Sequence, residues 1–163
     1  SGLAEIQKFI AEDDSTSVEI ELRDLKNVLD DVVIGDHAEF HTEQTAEGFF
    51  DGCTVTIDRF ISDRVLGKIM EYNNKTRLNA KKAFKPIEIS EEGLELIEFL
   101  SVDCTAAEGE WHSDSEIKID KLGYVIRNGN KTKEFWDGCI QADQQPLRLK
   151  IRNICGDETV WMV

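Results

Sequence analysis

The chain has 163 residues, of which 19 are Lys or Arg and 33 are Asp or Glu, giving a formal net charge of -14. A chain of this size suits one domain, or two small subdomains with a shared core. It buries roughly 70% of its unfolded surface on folding, so it needs no disulfide or metal to stabilise the fold. Its acidity argues against a surface that binds nucleic acid throughout, because phosphate binding needs a high local density of Lys and Arg. We expect a cytoplasmic protein, because the sequence contains neither a signal peptide nor an apolar run of membrane length.

The charge is unevenly distributed. Residues 1–60 hold 15 acids and 4 bases, a net -11, whereas residues 62–85 hold 2 acids and 7 bases, a net +5. Charge runs of this kind are usually solvated surface. The basic block is still the one feature of the sequence that favours DNA.

The first part of the chain is predicted to be acidic and mostly β, after a short amphipathic helix. Leu3, Ile6 and Ile10 recur at helical spacing near the start. Alternating and β-branched runs then predict strands at 18–22, 32–34, 38–41 and 54–57. Turns are expected at Gly35-Asp36 and Asp51-Gly52.

A second helix is predicted to begin at Ser62-Asp63, where a hydroxyl cap precedes an acid at the positive end of the helix dipole. At about 100° per residue, one apolar stripe and one basic stripe fall on opposite sides. The apolar stripe is Val65, Leu66, Ile69 and Met70, and the basic stripe is Arg64, Lys68, Lys75 and Lys82. Asn73-Asn74 is a possible break midway. The segment ends at Lys85, because a residue before proline avoids the helical region.

The remainder predicts a third helix followed by an antiparallel meander. Ser90-Glu91-Glu92 caps that helix, whose core-facing residues are Leu94, Ile97 and Leu100. Residues 111–163 alternate between apolar and charged, with hairpin turns at Asn128-Gly129 and Asp137-Gly138, and Trp136 is expected to be largely buried.

The sequence therefore predicts an α+β fold, with antiparallel β-meander and hairpins and about three helices packed on one side. Residues 1–85 form an acidic β-rich part ending in a basic helix, and residues 86–163 form a helix plus the meander, the two together making one compact unit. Because the chain opens Ser1-Gly2 without methionine, we expect a fragment of a longer protein.

No catalytic, cofactor-binding or metal-binding residue is predicted. The four cysteines, none in a Cys-x-x-Cys pair, are expected to be free thiols. His37 and His41 lie about 13 Å apart in a strand, which favours exposed hairpin histidines over metal ligands. In residues 111–116, Ser, His and acids are sequence neighbours without a Gly-x-Ser-x-Gly elbow, so a hydrolase is the least favoured interpretation. There Trp111 is expected in the core and His112 on the solvent face.

Several runs in the last two thirds of the chain resemble a known family. They include Trp111-His112-Ser113-Asp114-Ser115-Glu116 and Phe135-Trp136-Asp137-Gly138, together with residues 84–98, 101–104 and 146–153. These runs resemble the C-terminal end of adenine-specific DNA methyltransferases of the type III restriction–modification (Mod) kind. The similarity covers roughly residues 55–163.

The resemblance implies a non-catalytic domain. The family's chemistry needs an Asp/Asn-Pro-Pro-Tyr motif around the flipped adenine and a Phe-x-Gly-x-Gly loop for S-adenosylmethionine. With prolines only at 86 and 146, the first motif is impossible here, and the second is also missing. The cofactor is therefore expected in a part of the parent methyltransferase outside this chain.

Two functions follow as expectations. The favoured one is an accessory domain that serves subunit assembly or supports DNA recognition, with the restriction subunit, a second methyltransferase subunit or the DNA backbone as partner. The alternative is a stand-alone acidic protein–protein interaction module with no DNA role. Any DNA contact is expected to be to phosphate, through Arg64, Lys68, Lys75, Arg77, Lys81, Lys82 and Lys85.

Overall fold

The computed structural model describes residues 5–10, 35–47, 50–79 and 85–163. Residues 5–10 are helical and form α1, in agreement with the predicted N-terminal helix. The strands predicted at 18–22 and 32–34 lie outside the described residues, as do Lys81 and Lys82.

Nine strands and one longer helix follow α1 in the described part of the chain. They are β1 (His37–Glu47), β2 (Phe50–Ile61), α2 (Asp63–Asn79), β3 (Ile97–Asp103), β4 (Ser115–Ile119), β5 (Tyr124–Arg127), β6 (Asn130–Phe135), β7 (Cys139–Ala142), β8 (Arg148–Asn153) and β9 (Glu158–Met162). They form a three-stranded sheet, β1-β2-β7, and a six-stranded sheet, β6-β5-β4-β3-β8-β9, with antiparallel pairing throughout. The predicted α+β class with antiparallel strands is confirmed.

The core lies between the inward faces of the two sheets and the helices. In β8, Leu149 and Ile151 are fully buried on the core side, while the alternate residues are basic and lie on the outer face of the sheet, where Arg148 and Lys150 pack against Trp111. Val55 of β2 and Leu100 of β3 are also fully buried, and they belong to the same apolar cluster as Val65 of α2. Burial at about 25 cal/mol per Å² makes this cluster the main source of stability.

Helix α2 begins as predicted and continues past its two asparagines. The Ser62 Oγ accepts a hydrogen bond from the Val65 N–H at 3.3 Å. The Asn73 amide donates to the Ile87 carbonyl at 3.1 Å, and its oxygen accepts from the Ile87 N–H at 3.0 Å. Asn73 therefore tethers the connector to the helix, so it does not compete for the helix backbone. The apolar stripe is narrower than predicted, since Met70 is 64% exposed.

The predicted third helix is wrong, and the described residues contain two α-helices instead of three. A short 3-10 turn (Leu94–Leu96) leads directly into β3. The Ser90 Oγ accepts from the Gly93 N–H, so the expected cap closes a turn. Gly93 has φ +68°, and a Cβ there would collide with the Phe60 carbonyl, while the Phe60 N–H donates to the Glu92 carbonyl at 2.8 Å. This docking against β2 fixes the chain in a conformation that a helix cannot adopt.

The predicted meander is confirmed only in part. Strands β4, β5 and β6 are successive neighbours, and Asn128-Gly129 forms the β5–β6 turn with φ of 49° and 83°. At Gly138 the chain instead leaves the sheet, so that β7 joins β2, while β8 and β9 pair on the other side of β3. The Gly138 carbonyl accepts from the Ile57 N–H at 2.8 Å, which holds this crossing. Neither described helix is long and apolar enough to cross a bilayer.

Candidate functional site

An apolar groove of about 480 Å³ opens at one end of the six-stranded sheet. We call it the end groove. It lies where the 3-10 turn, the β4–β5 turn and the end of β6 come together. Its apolar lining comes from Leu94, Ile97, Ile119, Leu122, Phe135, Trp136 and Ile154, and its polar lining includes Gln7, Ser90, Glu92, Glu95, Asp120 and Lys121.

The β4–β5 turn forms one wall and is held by a single carboxylate. The Asp120 Oδ1 accepts hydrogen bonds from the N–H groups of Leu122 and Tyr124, both at 2.9 Å. Its own N–H donates to the Tyr124 carbonyl at 3.0 Å. The turn therefore holds Leu122 at its tip, where the side chain is 70% exposed.

Two consecutive aromatic residues, Phe135 at the end of β6 and Trp136 directly after it, form another part of the groove lining. The Phe135 ring stacks on Tyr124 with centroids 5.4 Å apart, and it remains 72% exposed. The Gly123 backbone approaches this ring so closely that a Cβ would lie 3.3 Å from Cε1, at a φ of +89° that already favours glycine. The β4–β5 turn and Phe135 are therefore in direct contact.

Trp136 is mostly buried, as the sequence predicted, and only a minor part of its surface is exposed. Its Nε1 donates to the Cys139 carbonyl at 2.8 Å, and the ring packs against the core cluster. The groove leaves the rest of the ring accessible. The indole is thus a fixed part of the groove lining.

The polar rim of the end groove is acidic. Glu92, Glu95 and Asp120 line it together with one base, Lys121, which gives a formal charge of -2. Glu95 accepts a hydrogen bond from the Ser90 Oγ at 2.8 Å, while Glu92 is exposed. The groove therefore combines an apolar lining with a negative edge.

A second cluster of polar residues surrounds the loop 104–113, between β3 and β4. The Asp103 carboxylate, fully buried, accepts from the N–H groups of Thr105, Ala106 and His112 at 2.8–2.9 Å. It also pairs with the Arg148 guanidinium at 2.8 Å. Arg148 in turn donates to the carbonyls of residues 109 and 110. We call this arrangement the loop clamp.

The loop clamp changes the ionisation of its members. Burial opposes ionisation of Asp103, but backbone donors at Ala106 and His112, together with Arg148, outweigh it and hold its pKa well below the ordinary range. Burial and the neighbouring carboxylates Asp114 and Asp103 raise the pKa of the Cys104 thiol to about 11. Because the thiolate is the nucleophile, this raised pKa keeps Cys104 in the less nucleophilic thiol form at neutral pH.

Three side chains of the loop clamp resemble a metal-ligand set. One ligand atom each from Asp103, His112 and Asp114 lies within 4.8 Å of the others. The Asp114 carboxylate, however, accepts from the Cys104 N–H at 2.6 Å and from the Thr105 hydroxyl at 3.0 Å, and it contacts the His112 Nδ1 at 3.0 Å. Because both carboxylates already hold the loop backbone, the arrangement is explained by loop structure.

Trp111 does not enter the apolar core, contrary to the sequence prediction. Its ring lies between the guanidinium of Arg148 at 4.7 Å and the ammonium of Lys150 at 4.3 Å, and its Nε1 donates to the Ser101 hydroxyl at 3.1 Å. It therefore packs on the outer face of the six-stranded sheet, where cation–π contacts replace apolar burial. His112 is exposed, as predicted.

The histidines of β1 lie where the sequence placed them. His37 and His41 are both exposed on the β1–β2 hairpin. The His41 Nδ1 lies 2.7 Å from the Asp58 carboxylate, and this hydrogen bond raises the pKa of the imidazole.

The basic stripe of α2 is accompanied by acids. Arg64 pairs with Asp157 at 2.7 Å, and Lys75 pairs with Glu71 at 3.4 Å. Lys68 lies 3.9 Å from the same glutamate. Arg77 is exposed but lies about 140° around the helix from Arg64, given about 100° per residue. Lys85 is exposed beyond the helix, and Lys81 and Lys82 are outside the described residues. The structure thus groups Arg64, Lys68 and Lys75, partly neutralised.

Comparison of the chain with protein-family models, curated proteins and solved structures finds no match. The resemblance to Mod methyltransferases therefore stays a prediction from the sequence. The sequence did not predict the end groove as a site. The sequence shows two adjacent large aromatic residues, Phe135-Trp136, but only the tertiary fold shows that both line one groove.

Proposed function

We propose that this chain is a non-catalytic interaction module that binds a partner polypeptide in the end groove. The observation that carries the proposal is the exposure of two large apolar side chains that line the same apolar groove, Leu122 at 70% and Phe135 at 72%. Contiguous exposed apolar surface bordered by polar residues is typical of interaction sites.

The construction of the groove supports the same function. Asp120 holds the Leu122 turn through its carboxylate, and the Cys139 carbonyl orients Trp136. Pre-formed walls lower the cost of ordering side chains when a partner binds. The groove volume of about 480 Å³ also lies within the usual range for ligand pockets, about 300–1,000 Å³.

The polar residues that most resemble a catalytic set support a structural role instead. Asp103 and Asp114 accept hydrogen bonds from the loop backbone, and the raised pKa of Cys104 opposes nucleophilic chemistry. The described residues thus favour binding over catalysis.

Within a methyltransferase, such a module would serve subunit assembly, with the restriction subunit or a second methyltransferase subunit as partner. This context rests on the sequence resemblance alone. A stand-alone interaction module would use the same groove with an unrelated partner. DNA support is less favoured, because Arg64 and Lys75 already pair with acids.

Display of random heptapeptides on phage tests the proposal. Peptides are selected on the wild-type chain alone, and the enriched peptides are then assayed for binding to Leu122→Ser and Phe135→Ser. We expect an enriched consensus that both groove variants fail to bind, while Leu78→Ser, a matched change of an 85% exposed leucine on α2, binds it normally. Selection that yields no consensus, or one that binds all three variants equally, would contradict the proposed function.

A further inference from the structure

The end groove also carries information about the chemistry of its partner. We infer that it takes a cationic peptide segment, in which a bulky apolar anchor is flanked by Lys or Arg. This inference rests on the proposed function, and it adds the class of ligand.

The apolar requirement follows from the groove lining. Leu94, which is partly exposed, lines the groove together with the exposed side chains of Leu122 and Phe135 and the accessible part of Trp136. An aromatic or long aliphatic side chain placed there removes these surfaces from water. A flat aromatic anchor can also stack on the exposed part of the Phe135 ring, which packs against Tyr124 with centroids 5.4 Å apart.

The positive charge follows from the rim. Glu92, Glu95 and Asp120 outnumber Lys121 at the edge of the groove. The Glu92 side chain is exposed. A flanking cation of the partner can therefore reach its carboxylate directly from solvent. The whole chain carries -14, which attracts cationic partners at long range and repels anionic ones. A nucleic-acid backbone would meet like charge at this rim.

Three labelled peptides separate the two requirements in a fluorescence anisotropy titration. The first, Lys-Lys-Leu-Phe-Lys-Lys, has both an anchor and positive flanks. The second, Glu-Glu-Leu-Phe-Glu-Glu, keeps the anchor and reverses the charge. The third, Lys-Lys-Gly-Ser-Lys-Lys, keeps the charge and removes the anchor. We expect the first to bind at least about tenfold more tightly than either of the others.

Variants then place the binding in the groove. We expect Phe135→Ser to weaken binding of the first peptide about tenfold at any salt concentration, because it removes apolar contact. Glu92→Lys should weaken it mainly at low salt, because it reverses a rim charge. Glu91→Lys is the matched control, since Glu91 is an exposed neighbour that does not line the groove, and we expect less than about a twofold change.

Each other outcome overturns the inference in a recognisable way. Equal binding of the first two peptides would show that the groove ignores charge, and equal binding of the first and third would show general attraction to an acidic chain. If none of the three binds, the ligand class is wrong. Peptide display decides the proposed function separately, because a neutral or acidic consensus that still needs Leu122 and Phe135 would keep the groove and remove only the cationic partner.

Discussion

The end groove and the loop clamp are built on opposite principles. The loop clamp gathers ionisable residues around Asp103 and satisfies them with the loop backbone and Arg148. The end groove gathers ordinary apolar residues and leaves Leu122 and Phe135 in water. One region has its interactions completed within the chain, whereas the other keeps surface available for a partner.

This difference shows that chemically suggestive residues need not be functional ones. Histidine, serine and acids stand together in residues 111–116, yet His112 and Asp114 serve to hold the loop. Buried polar groups are costly unless they are paired, so a rigid loop can require such a cluster for its own structure. The apolar groove needs no comparable set of bonds, and a structural role does not account for its exposed side chains.

The largest effect is expected from breaking the loop clamp. Arg148→Ala leaves the buried Asp103 carboxylate without its cation, which should lower the free energy of unfolding by about 3–5 kcal/mol. Urea denaturation measures it. Arg152→Ala is a matched control on the same strand, because Arg152 pairs with Glu98 while about a third of its side chain is exposed. We expect loss of the Arg152 ion pair to lower the free energy of unfolding by no more than about 1 kcal/mol. Similar losses of unfolding free energy in both variants would show that the buried Asp103–Arg148 pair is no more important than the partly exposed Arg152–Glu98 pair.

The pH dependence of stability sharpens the same side of the comparison. The pKa of Asp103 is lowered in the folded chain. Its contribution is therefore fully present above the ordinary carboxyl pKa of about 4, and it is lost as the pH falls towards the lowered value. Measured between about pH 7 and pH 2, wild type should lose its advantage over Asp103→Asn as the pH falls. Parallel stability curves for the two proteins would show that Asp103 does not contribute in this way.

A smaller stability effect is expected at the groove. Trp136→Ala removes a mostly buried indole and its hydrogen bond to the Cys139 carbonyl, which should cost about 2–3 kcal/mol. Thermal or urea unfolding measures the loss. Trp136→Phe should recover most of it by keeping a ring in place. Unchanged stability of the alanine variant would show that this groove wall is not anchored to the core.

The smallest expected effect is binding of DNA by this chain. If this chain contacts DNA, four to six phosphate contacts by the basic residues between 64 and 85 would give a log-log salt slope of about -4 to -5. We expect weak binding at most, because Arg64 and Lys75 have acidic partners. Gel-shift titration at low and moderate salt, with Lys75→Glu and Lys82→Glu, measures it. Binding that is insensitive to salt, or that survives both reversals, would show that α2 is not a DNA surface.

Local patterns predicted much of the fold. The alternation in β8 and the Asn-Gly pair at 128–129 correctly predicted a strand and a turn, because strand periodicity and positive φ are set by a few neighbouring residues. The helix expected from Ser90 failed because the decisive contact, between Gly93 and the Phe60 carbonyl, joins distant parts of the chain. Trp111 was misplaced for the same reason, since Arg148 and Lys150 reach it from another strand.

The end groove was beyond sequence patterns because three separate segments build it, namely the 3-10 turn, the β4–β5 turn and the end of β6. Leu94, Leu122 and Phe135 are unremarkable apart, and only the crossing at Gly138 brings β6 and the 3-10 turn together. A Cβ at Gly138 would lie 3.2 Å from a methyl group of Leu94. Close approach of this kind depends on the tertiary fold, which periodicity does not describe.

Two indole N–H groups allow one direct test of the comparison between the end groove and the loop clamp. Trp136 lines the groove and Trp111 belongs to the loop clamp region, so their Nε1–H resonances report the two regions separately. The ¹⁵N-labelled chain is titrated with unlabelled Lys-Lys-Leu-Phe-Lys-Lys. We expect the Trp136 resonance and the amides of the β4–β5 turn to shift while the Trp111 resonance stays in place. A shift of Trp111 and the 104–113 amides, with Trp136 unchanged, would contradict the assignment of the end groove as the binding site.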